Sequence, residues 1–420
     1  MTAPSEMLSV SQARAAILAR FAPLEAETVS LLDTLGRVLS EDVESDIDLP
    51  PFFNSSMDGY ALRAADLAGA RPDRPVRLRV IADIPAGHPG DVVIQAGTAA
   101  RITTGAQLPQ GADAVAPVEA TDDPARGSGS LRETVLIFQE FKSGAYVRGP
   151  GEDVKRGQTV MQAGALIRAA EIAMLAAVGR TTARVVRRPR VAVFATGDEL
   201  VPPEQAPGPG QIRNVNEFST AALVRRYGGI ALTLGIGRDT EAAIAEKFEM
   251  ALAHRADLIV TSAGVSVGAR DVVRDVVQAH GEIALWRIRM RPGKPLAFGQ
   301  YQGTPFFGLP GNPVSAMLTF EQFVRPVLLK LAGRAQWDKP TVLVKLLEPV
   351  TSDGRETYAR AWAERDGAGY VARLSGGQGS NILSALTGAN ALIIVPEGVT
   401  RLEAGTLAMA QMLNWPEDVV

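Results

Sequence analysis

The spacing of apolar positions changes several times along the chain, and each change marks a different kind of element. Residues 9–21 (SVSQARAAILARF) put apolar side chains at helical spacing behind Ser9, which predicts an amphipathic helix with a serine cap. Residues 50–145 break into short β-like runs at 76–82, 99–103, 113–118 and 134–138, separated by Gly, Pro and Asp turns, with ARGSGS (125–130) as a flexible hairpin tip. AAEIAMLAAV (169–178) returns to helix, closed by Gly179. Three nearly all-apolar runs follow: VAVFAT (191–196), IALTLGI (230–236) and DLIVTSA (257–263). Such runs mark parallel strands covered on both faces. Helical patterns at 214–227, 240–254 and 271–280 alternate with them; in the middle one Ile244, Phe248 and Ala251/Leu252 recur at helical spacing. The alternation predicts a doubly wound α/β domain. ALWRI (284–288) and PLAFG (295–299) add strands, and a helix from about 313 to 331 closes the unit. Runs at 341–347, 356–363, 391–395 and 406–411 predict a small β-barrel or sandwich at the end.

The fold class expected is therefore α/β plus β, in several domains. A helical and extended linker domain is expected at 1–50 and 146–184, with a β-rich domain inserted at 51–145. The α/β domain would run over 185–335 and a C-terminal β-barrel over 336–420. The Pro/Gly stretch 203–211 is read as a loop inside the α/β domain.

Composition narrows the chemistry. Lys+Arg is 43 and Asp+Glu is 46, a net charge of −3, so no basic excess marks a nucleic-acid surface. No apolar run approaches the ~18–20 residues of a membrane span. The N-terminus lacks the basic and apolar regions of a secretory signal, so a cytoplasmic protein is expected. With no cysteine, disulfides, thiolate nucleophiles and Cys-metal sites are excluded. Of the three histidines, His88, His254 and His280, none forms HExxH or a close pair, which argues against a His-metal site or a Ser-His-Asp triad. His254 and His280 fall near predicted helix C-termini, where imidazole suits the dipole. What remains is carboxylates, Lys/Arg, hydroxyls and backbone N–H groups, a set suited to oxyanions, phosphates and a hard cation such as Mg²⁺.

In open α/β sheets ligands bind at the carboxyl ends of the parallel strands. TGDEL follows the first strand, with Asp198 and Glu199, and Gly237-Arg238-Asp239 follows the second. GVSVGARD follows the third, with Ser266 and Asp271; its glycines suit an anion-binding nest. RIRMRPGKP carries Arg287, Arg291 and Lys294, and GLPGNPVS carries Asn312 and Ser315. Each has a bland alternative. TGDEL could cap a helix, PGKP could be a tight turn, Asn312 and Pro313 could simply start a helix, and Asp239 could cap the helix at 240–254. Their convergence on one edge outweighs these readings. Two further motifs lie outside the domain: NSSMDGYA (54–61), with the turn pair Asp58-Gly59, and RITTGA (101–106), with Thr103 and Thr104 at a strand end.

The ordered set SMDGYA (56–61), RITTGA, RGPGED (148–153), TGDEL (196–200), SAGVSVG (262–268), RPGKP (291–295) and GLPGNPVSA (308–316) resembles the molybdopterin molybdenumtransferases. These are the molybdenum-insertion enzymes of molybdenum cofactor biosynthesis, related to the E domain of gephyrin. The resemblance runs from about residue 8 to 411. It implies that adenylylated molybdopterin and molybdate are the substrates, that molybdenum enters the dithiolene and AMP leaves, and that Mg²⁺ assists. It also implies an elongated four-domain homodimer with a molybdopterin-binding α/β domain. As further partners it implies the adenylyltransferase that makes the substrate and the molybdoenzymes that accept the product. By motif it assigns catalytic roles to Asp58, Thr104, Asp153, Glu199, Asp239 and Asp271, with Glu199, Asp239 and Asp271 at the metal. Substrate binding falls to Ser266, Arg287, Arg291, Lys294, Asn312 and Ser315, joined by Arg360 and Ser380 from the last domain. Asp58 and Glu199 are expected to meet from opposite protomers. The chain departs from the family at Arg287 and Arg291, where lysine is common, and at Thr103, often a bulkier apolar residue. The competing readings are a molybdopterin adenylyltransferase-like enzyme, a tungsten-inserting paralogue and a non-catalytic scaffold. The adenylyltransferase resembles only the α/β domain, and the intact acids argue against a scaffold.

Overall fold

A computed structural model of the chain describes residues 7–123, 130–262, 272–367 and 369–415. They form two compact units. One comprises Ser30–Leu35 and Glu41–Ala183; the other comprises the chain up to Val29, Gly36–Ser40, and everything from Arg184 onward. No helix among the described residues is long and apolar enough to cross a membrane.

Helix α1 (Val10–Leu18) starts at Ser9, as its pattern predicts, but stops short of residue 21. The Ser9 hydroxyl accepts from the Gln12 N–H at 3.1 Å, and the Gln12 side-chain oxygen accepts from the Ser9 N–H at 2.9 Å. This reciprocal box satisfies two N–H groups that a helix start leaves open. The smaller unit is built on a five-stranded sheet, β1 (Gly59–Leu62), β2 (Val76–Ile84), β3 (Thr98–Ile102), β4 (Ala114–Pro117) and β5 (Thr134–Ile137), in the order β4-β1-β3-β2-β5. Only the β2–β3 pair is parallel. Both faces are buried: Tyr60, Leu62, Leu78 and Val135 on one, Ala61, Ile84, Ile102 and Val115 on the other. Most of the expected hairpin tip at 125–130 lies outside the described residues. Helix α2 (Ala169–Ala177) follows in the same unit.

The larger unit holds the α/β domain: β6 (Arg190–Thr196), α3 (Asn216–Arg226), β7 (Ile230–Gly237), α4 (Glu241–Ala253), β8 (Leu258–Ser262), α5 (Val272–His280), β9 (Gly281–Arg287), β10 (Pro295–Tyr301), β11 (Thr304–Leu309), α6 (Pro313–Thr319) and α7 (Arg325–Leu331). The sheet order is β7-β6-β8-β11-β10-β9. Side-chain alternation divides its residues between two cores. Val191, Val193, Leu258 and Val260 pack under α1, α3 and the α6–α7 segment. Ala192, Phe194 and Ile259 pack under α4 and α5. Helices thus cover both faces, as the all-apolar strands require.

Three details depart from the sequence reading. The sheet is mixed: β6, β7, β8 and β11 run parallel, and β10 runs antiparallel between β11 and β9. Strand β11, absent from the predicted set, lies inside the sheet. It pairs with β10 through Gln302-Gly303, both at positive φ, the geometry of a tight hairpin turn. The helix expected over 313–331 is interrupted by a π turn at Phe320–Val324. Pro326 has no N–H to return to the Gln322 carbonyl and its ring crowds that carbonyl, so the helix widens there.

The last domain uses β12 (Thr341–Leu346), β13 (Glu356–Asp366), β14 (Gly369–Leu374), β15 (Ala391–Val395) and β16 (Leu407–Met412). The ladder runs β13-β14-β12-β16-β15, and β13 also pairs with β15. That closure makes a five-stranded barrel, with β14, like β1 and β11, missing from the predicted set. A two-residue strand, Met290–Arg291, leaves the α/β domain to pair with β13. Tyr358 and Leu392 of the barrel join the core beneath α6 and α7.

Candidate active site

Topology sets the site before any side chain is considered. The parallel strands β7, β6, β8 and β11 end on one edge of the sheet; β9 also ends there, and antiparallel β10 begins there. The residues just past those points are acidic on the β7–β6 side and basic on the β10–β9 side.

On the acidic side, TGDEL enters no helix, so the capping reading of that motif fails: Leu200–Val201 form a short strand with Ile212–Arg213. Asp198 and Asp239 bridge the two loops reciprocally. The Asp198 N–H donates to an Asp239 carboxylate oxygen at 3.4 Å, and the Asp239 N–H donates to Asp198 at 3.3 Å. Asp239 does not cap α4; Thr240 does, accepting from the Ala243 N–H at 3.3 Å. Arg238 turns its guanidinium into the TGDEL turn and donates to the carbonyls of Asp198 and Leu200, both at 3.1 Å. Gly197 sits at φ +145°, and a Cβ there would overlap the Glu199 carboxylate. Glu199, Asp198 and Asp239 are all exposed, presenting oxygens at the edge. Asp198, named at the strand end beside Glu199 but given no role by the resemblance, is the direct partner of Asp239. Ser266 and Asp271, expected after β8, lie outside the described residues. Among the described residues, no three acidic or histidine side chains are close enough to hold a metal ion by themselves.

On the basic side a cleft of about 610 Å³ opens between the α/β domain and the barrel. Arg291, Lys294, Asn312, Ser315 and Ser380 line it, as expected, together with Arg355 and Gln378. Its floor is shaped by RPGKP: Gly293 has φ +109°, and a Cβ there would meet the Thr319 hydroxyl at 2.6 Å. Asn312 does occupy the position before Pro313 at the start of α6, but its side chain makes no cap. Its amide reaches the Ser380 hydroxyl at 3.1 Å, and the Val314 N–H donates to the Ser380 carbonyl at 3.3 Å. The helix start thereby fixes the barrel loop that carries Ser380.

Two expected ligands are placed otherwise. Arg287 ends β9 on the correct edge but does not line the cleft. Arg360 is 1% exposed and lies beneath the loop. Its guanidinium donates to the carbonyls of Gly377 (2.8 Å) and Gly379 (3.0 Å), while Gln378 accepts from the Arg360 N–H at 2.9 Å. Burial, and then Arg291 nearby, push the Arg360 guanidinium below its ordinary range. Arg360 is therefore the support on which Ser380 is mounted, rather than a wall of the cleft.

The smaller unit gathers its three motifs on residues 53–58. The Gly105 N–H donates to the Ser55 carbonyl at 2.8 Å and the Leu108 N–H to the Phe53 carbonyl at 2.8 Å, which ties in RITTGA. Asn54 and Ser55 pair with Arg148 and Val147, which brings RGPGED alongside. Asp58 accepts from both the backbone N–H (2.7 Å) and the hydroxyl (3.0 Å) of Thr104. Thr103, by contrast, accepts from the Ala86 N–H, a structural role. Asp153 and Arg148 share a shallow pocket with Asn54 and Glu152. Next to Asp58, a cavity of about 270 Å³ includes Tyr60, Asp83, Arg101 and Asp123. There Tyr60 donates to Asp123 at 2.8 Å, and burial and that carboxylate hold its phenol well above the usual range. Paired to Arg101, the Asp83 carboxyl stays below its usual range. His254 and His280 make the expected helix-end contacts, each ring within reach of the carbonyl four residues back.

The MoeA N-terminal region (domain I and II) matches residues 8–179, a probable molybdopterin binding domain matches 192–330, and the MoeA C-terminal region (domain IV) matches 344–412. The chain is 39% identical over 390 residues to a molybdopterin molybdenumtransferase of Nostoc sp., covering 91% of this chain and 87% of that one. It is 35% identical over 414 residues to that of Haemophilus influenzae, covering 97% and 99%. The crystal structure of a molybdopterin biosynthesis MoeA protein from Pyrococcus horikoshii superposes with a TM-score of 0.80 at 31% identity, covering 98% of this chain and all of that one. The motifs, the fold and the matches along almost the whole length agree: the chain belongs to the MoeA family of molybdopterin molybdenumtransferases.

Proposed function

We propose that this protein inserts molybdenum from molybdate into the dithiolene of adenylylated molybdopterin, with release of AMP. The observation that carries this reading is the sorting of charge along one sheet edge. Carboxylates follow β6 and β7; guanidinium, ammonium, amide and hydroxyl groups gather at β9 to β11 and the barrel loop. Strands lie ~4.8 Å apart, so the two groups are separated by roughly 10–24 Å along the edge. A substrate carrying a pyrophosphate and a dithiolene fits such a division. Molybdate, a tetrahedral dianion, suits Arg291 and Lys294 with the hydroxyls of Ser315 and Ser380.

The acidic side suits a hard cation. Mg²⁺ keeps several waters and takes one or two carboxylates plus substrate phosphates, so it needs no cage of three. Asp198, Glu199 and Asp239 offer exposed oxygens of the right kind, with Asp271 as a further candidate. When bound, the ion would neutralise charge on the pyrophosphate as AMP departs. The chain's own groups do the rest. The Asp198–Asp239 bridge holds the two loops in register, Arg238 stiffens the TGDEL turn, and Asn312 with Arg360 fixes the Ser380 hydroxyl.

The smaller unit carries the family's other motifs, with Asp58, bonded to Thr104, and Asp153 lining separate pockets. We propose that it completes the site across a homodimer, since a two-fold interface makes both sites equivalent. The test of function is direct. Purified protein with adenylylated molybdopterin and Mg²⁺ is assayed for AMP, with and without molybdate. Molybdate-dependent AMP release supports the reading. AMP release indifferent to molybdate, or consumption of ATP instead, overturns it.

A further inference from the structure

Arg355 lies in none of the motifs that identify the site, yet it lines the cleft together with Arg291 and Lys294. It belongs to the turn Ser352-Asp353-Gly354-Arg355, just before β13. That turn is braced by its backbone: the Gly354 N–H donates to the Ser352 hydroxyl at 3.1 Å, and the Gly354 carbonyl accepts from the Gly398 N–H at 2.8 Å. The Arg355 guanidinium is anchored on the cleft wall by the Met290 carbonyl, 2.9 Å from Nη1. Its other edge faces Asp353, with Nε 3.2 and 3.1 Å from the two carboxylate oxygens and Nη2 2.5 Å from one of them. Asp353 is a side chain of the same tight turn and is 42% exposed, so it can leave Arg355 without being stranded in a dry site. Arg355 first, and Arg291 more weakly, hold the Asp353 carboxyl below its usual range.

The charges explain why such a counter-ion is present. Arg291, Lys294 and Arg355 bring three cations to one cleft, and Arg291 is near enough to disfavour the charge on buried Arg360. Like charges so gathered repel unless an anion lies among them. We propose that Arg355 is an oxyanion-binding residue of the cleft and that Asp353 is its resting counter-ion, displaced when the oxyanion enters. This rests on the reading of the cleft as a molybdate site. Once Asp353 swings out, Arg355 presents a planar fork to two oxygens of a tetrahedral dianion, while Met290 keeps the guanidinium in place.

The experiment is a molybdate titration of the full-length protein by calorimetry at fixed ionic strength, using wild type, R355Q, D353N, the double variant, and R373A as a control for loss of a surface charge. Glutamine keeps much of the reach and polarity of arginine without its charge, and the unfolding midpoint of each variant verifies its fold. R355Q should weaken molybdate at least about tenfold, the scale of a lost charge-assisted bond. D353N should tighten it about two- to fivefold, the scale of a removed exposed ion pair. In the R355Q background, D353N should change nothing, since its effect acts through Arg355. R355Q binding within twofold of R373A overturns the role of Arg355. A D353N effect that persists without Arg355 overturns the counter-ion role. Wild-type protein that takes up no molybdate overturns the reading of the cleft itself, and this inference with it.

Discussion

Replacing Arg360 with alanine separates a support from a ligand. The family pattern puts this arginine near molybdate, whereas in the structure it is buried under the loop and spends its guanidinium on the Gly377 and Gly379 carbonyls. A hydrogen bond from an ionised donor contributes ~1.5–3 kcal/mol, and two are lost. The released carbonyls recover part of this from water entering the space, so a net destabilisation of about 3–4 kcal/mol is expected. At ~2–4 °C per kcal/mol for a domain of 150–250 residues, the unfolding midpoint should fall by roughly 6–16 °C. Calorimetry reads that shift, and a molybdate titration of AMP release at a temperature where the variant is folded reads the site. The molybdate requirement should also rise, because Ser380 loses its mounting. R360K should recover part of the stability, since one ammonium can donate to both carbonyls as Nη2 does but lacks the planar guanidinium that holds that nitrogen in place. A midpoint within 2 °C of wild type, with only the molybdate requirement changed, would refute the supporting role and return Arg360 to direct contact with the oxyanion.

The other expectations concern the acids, the amide and the symmetry. D198A or D239A should lower turnover by ~10²–10⁴-fold, the scale of a lost positioned acid or charge-stabilising group. Neither should move the unfolding midpoint much, because the bonds between these exposed groups are long; wild-type turnover under limiting Mg²⁺ would remove the acidic edge from the mechanism. N312A, which frees the Ser380 hydroxyl, should raise the KM for molybdate more than it lowers kcat; an unchanged KM would show that Ser380 needs no orientation. For symmetry, D58A and E199A are each expected to be inactive alone. Refolded together as mixed dimers, they should recover roughly a quarter of wild-type activity if each site draws one residue from each chain. No recovery in dimers verified by differential tags would leave the two acids in separate or same-chain roles.

Legibility in the sequence followed the strength of local signals. Strands β6 and β8 announce themselves because both faces are covered and nearly every residue is apolar. Strand β11 is as buried, but its TPFFGL run opens on Thr-Pro directly after the Gln302-Gly303 turn, and that punctuation hides a strand that pairs with β10 through the turn and with β8 on its other side. The π turn is invisible to periodicity, since Pro326 acts on a carbonyl four residues back without disturbing the apolar spacing. At the site, motif and strand-end logic reach Asp239, Lys294, Asn312 and Ser315. They name Asp198 beside Glu199 at the strand end without singling it out, because residue type alone does not say which of two adjacent acids turns toward the next loop. They miss Arg355 because it precedes a barrel strand, where no rule of the α/β sheet applies.

Arg360 shows what such reasoning cannot supply by itself. A motif records that an arginine is needed, and an oxyanion site makes direct contact the natural reading. Burial decides otherwise: Arg360 is 1% exposed, its Nη2 is held by two loop carbonyls, and its Nε is buried with no hydrogen-bond partner among the described residues. Arg360 still lies near enough to the cleft that, after burial itself, Arg291 disfavours its charged form. Support can thus come from a side chain that does not line the cleft. Ser380, bonded to Asn312, and Arg355, bonded to the Met290 carbonyl, do line it. The geometry of the cleft's lining is set from beneath in this way, by bonds among the loop, α6 and the Met290 carbonyl, rather than by any one cation.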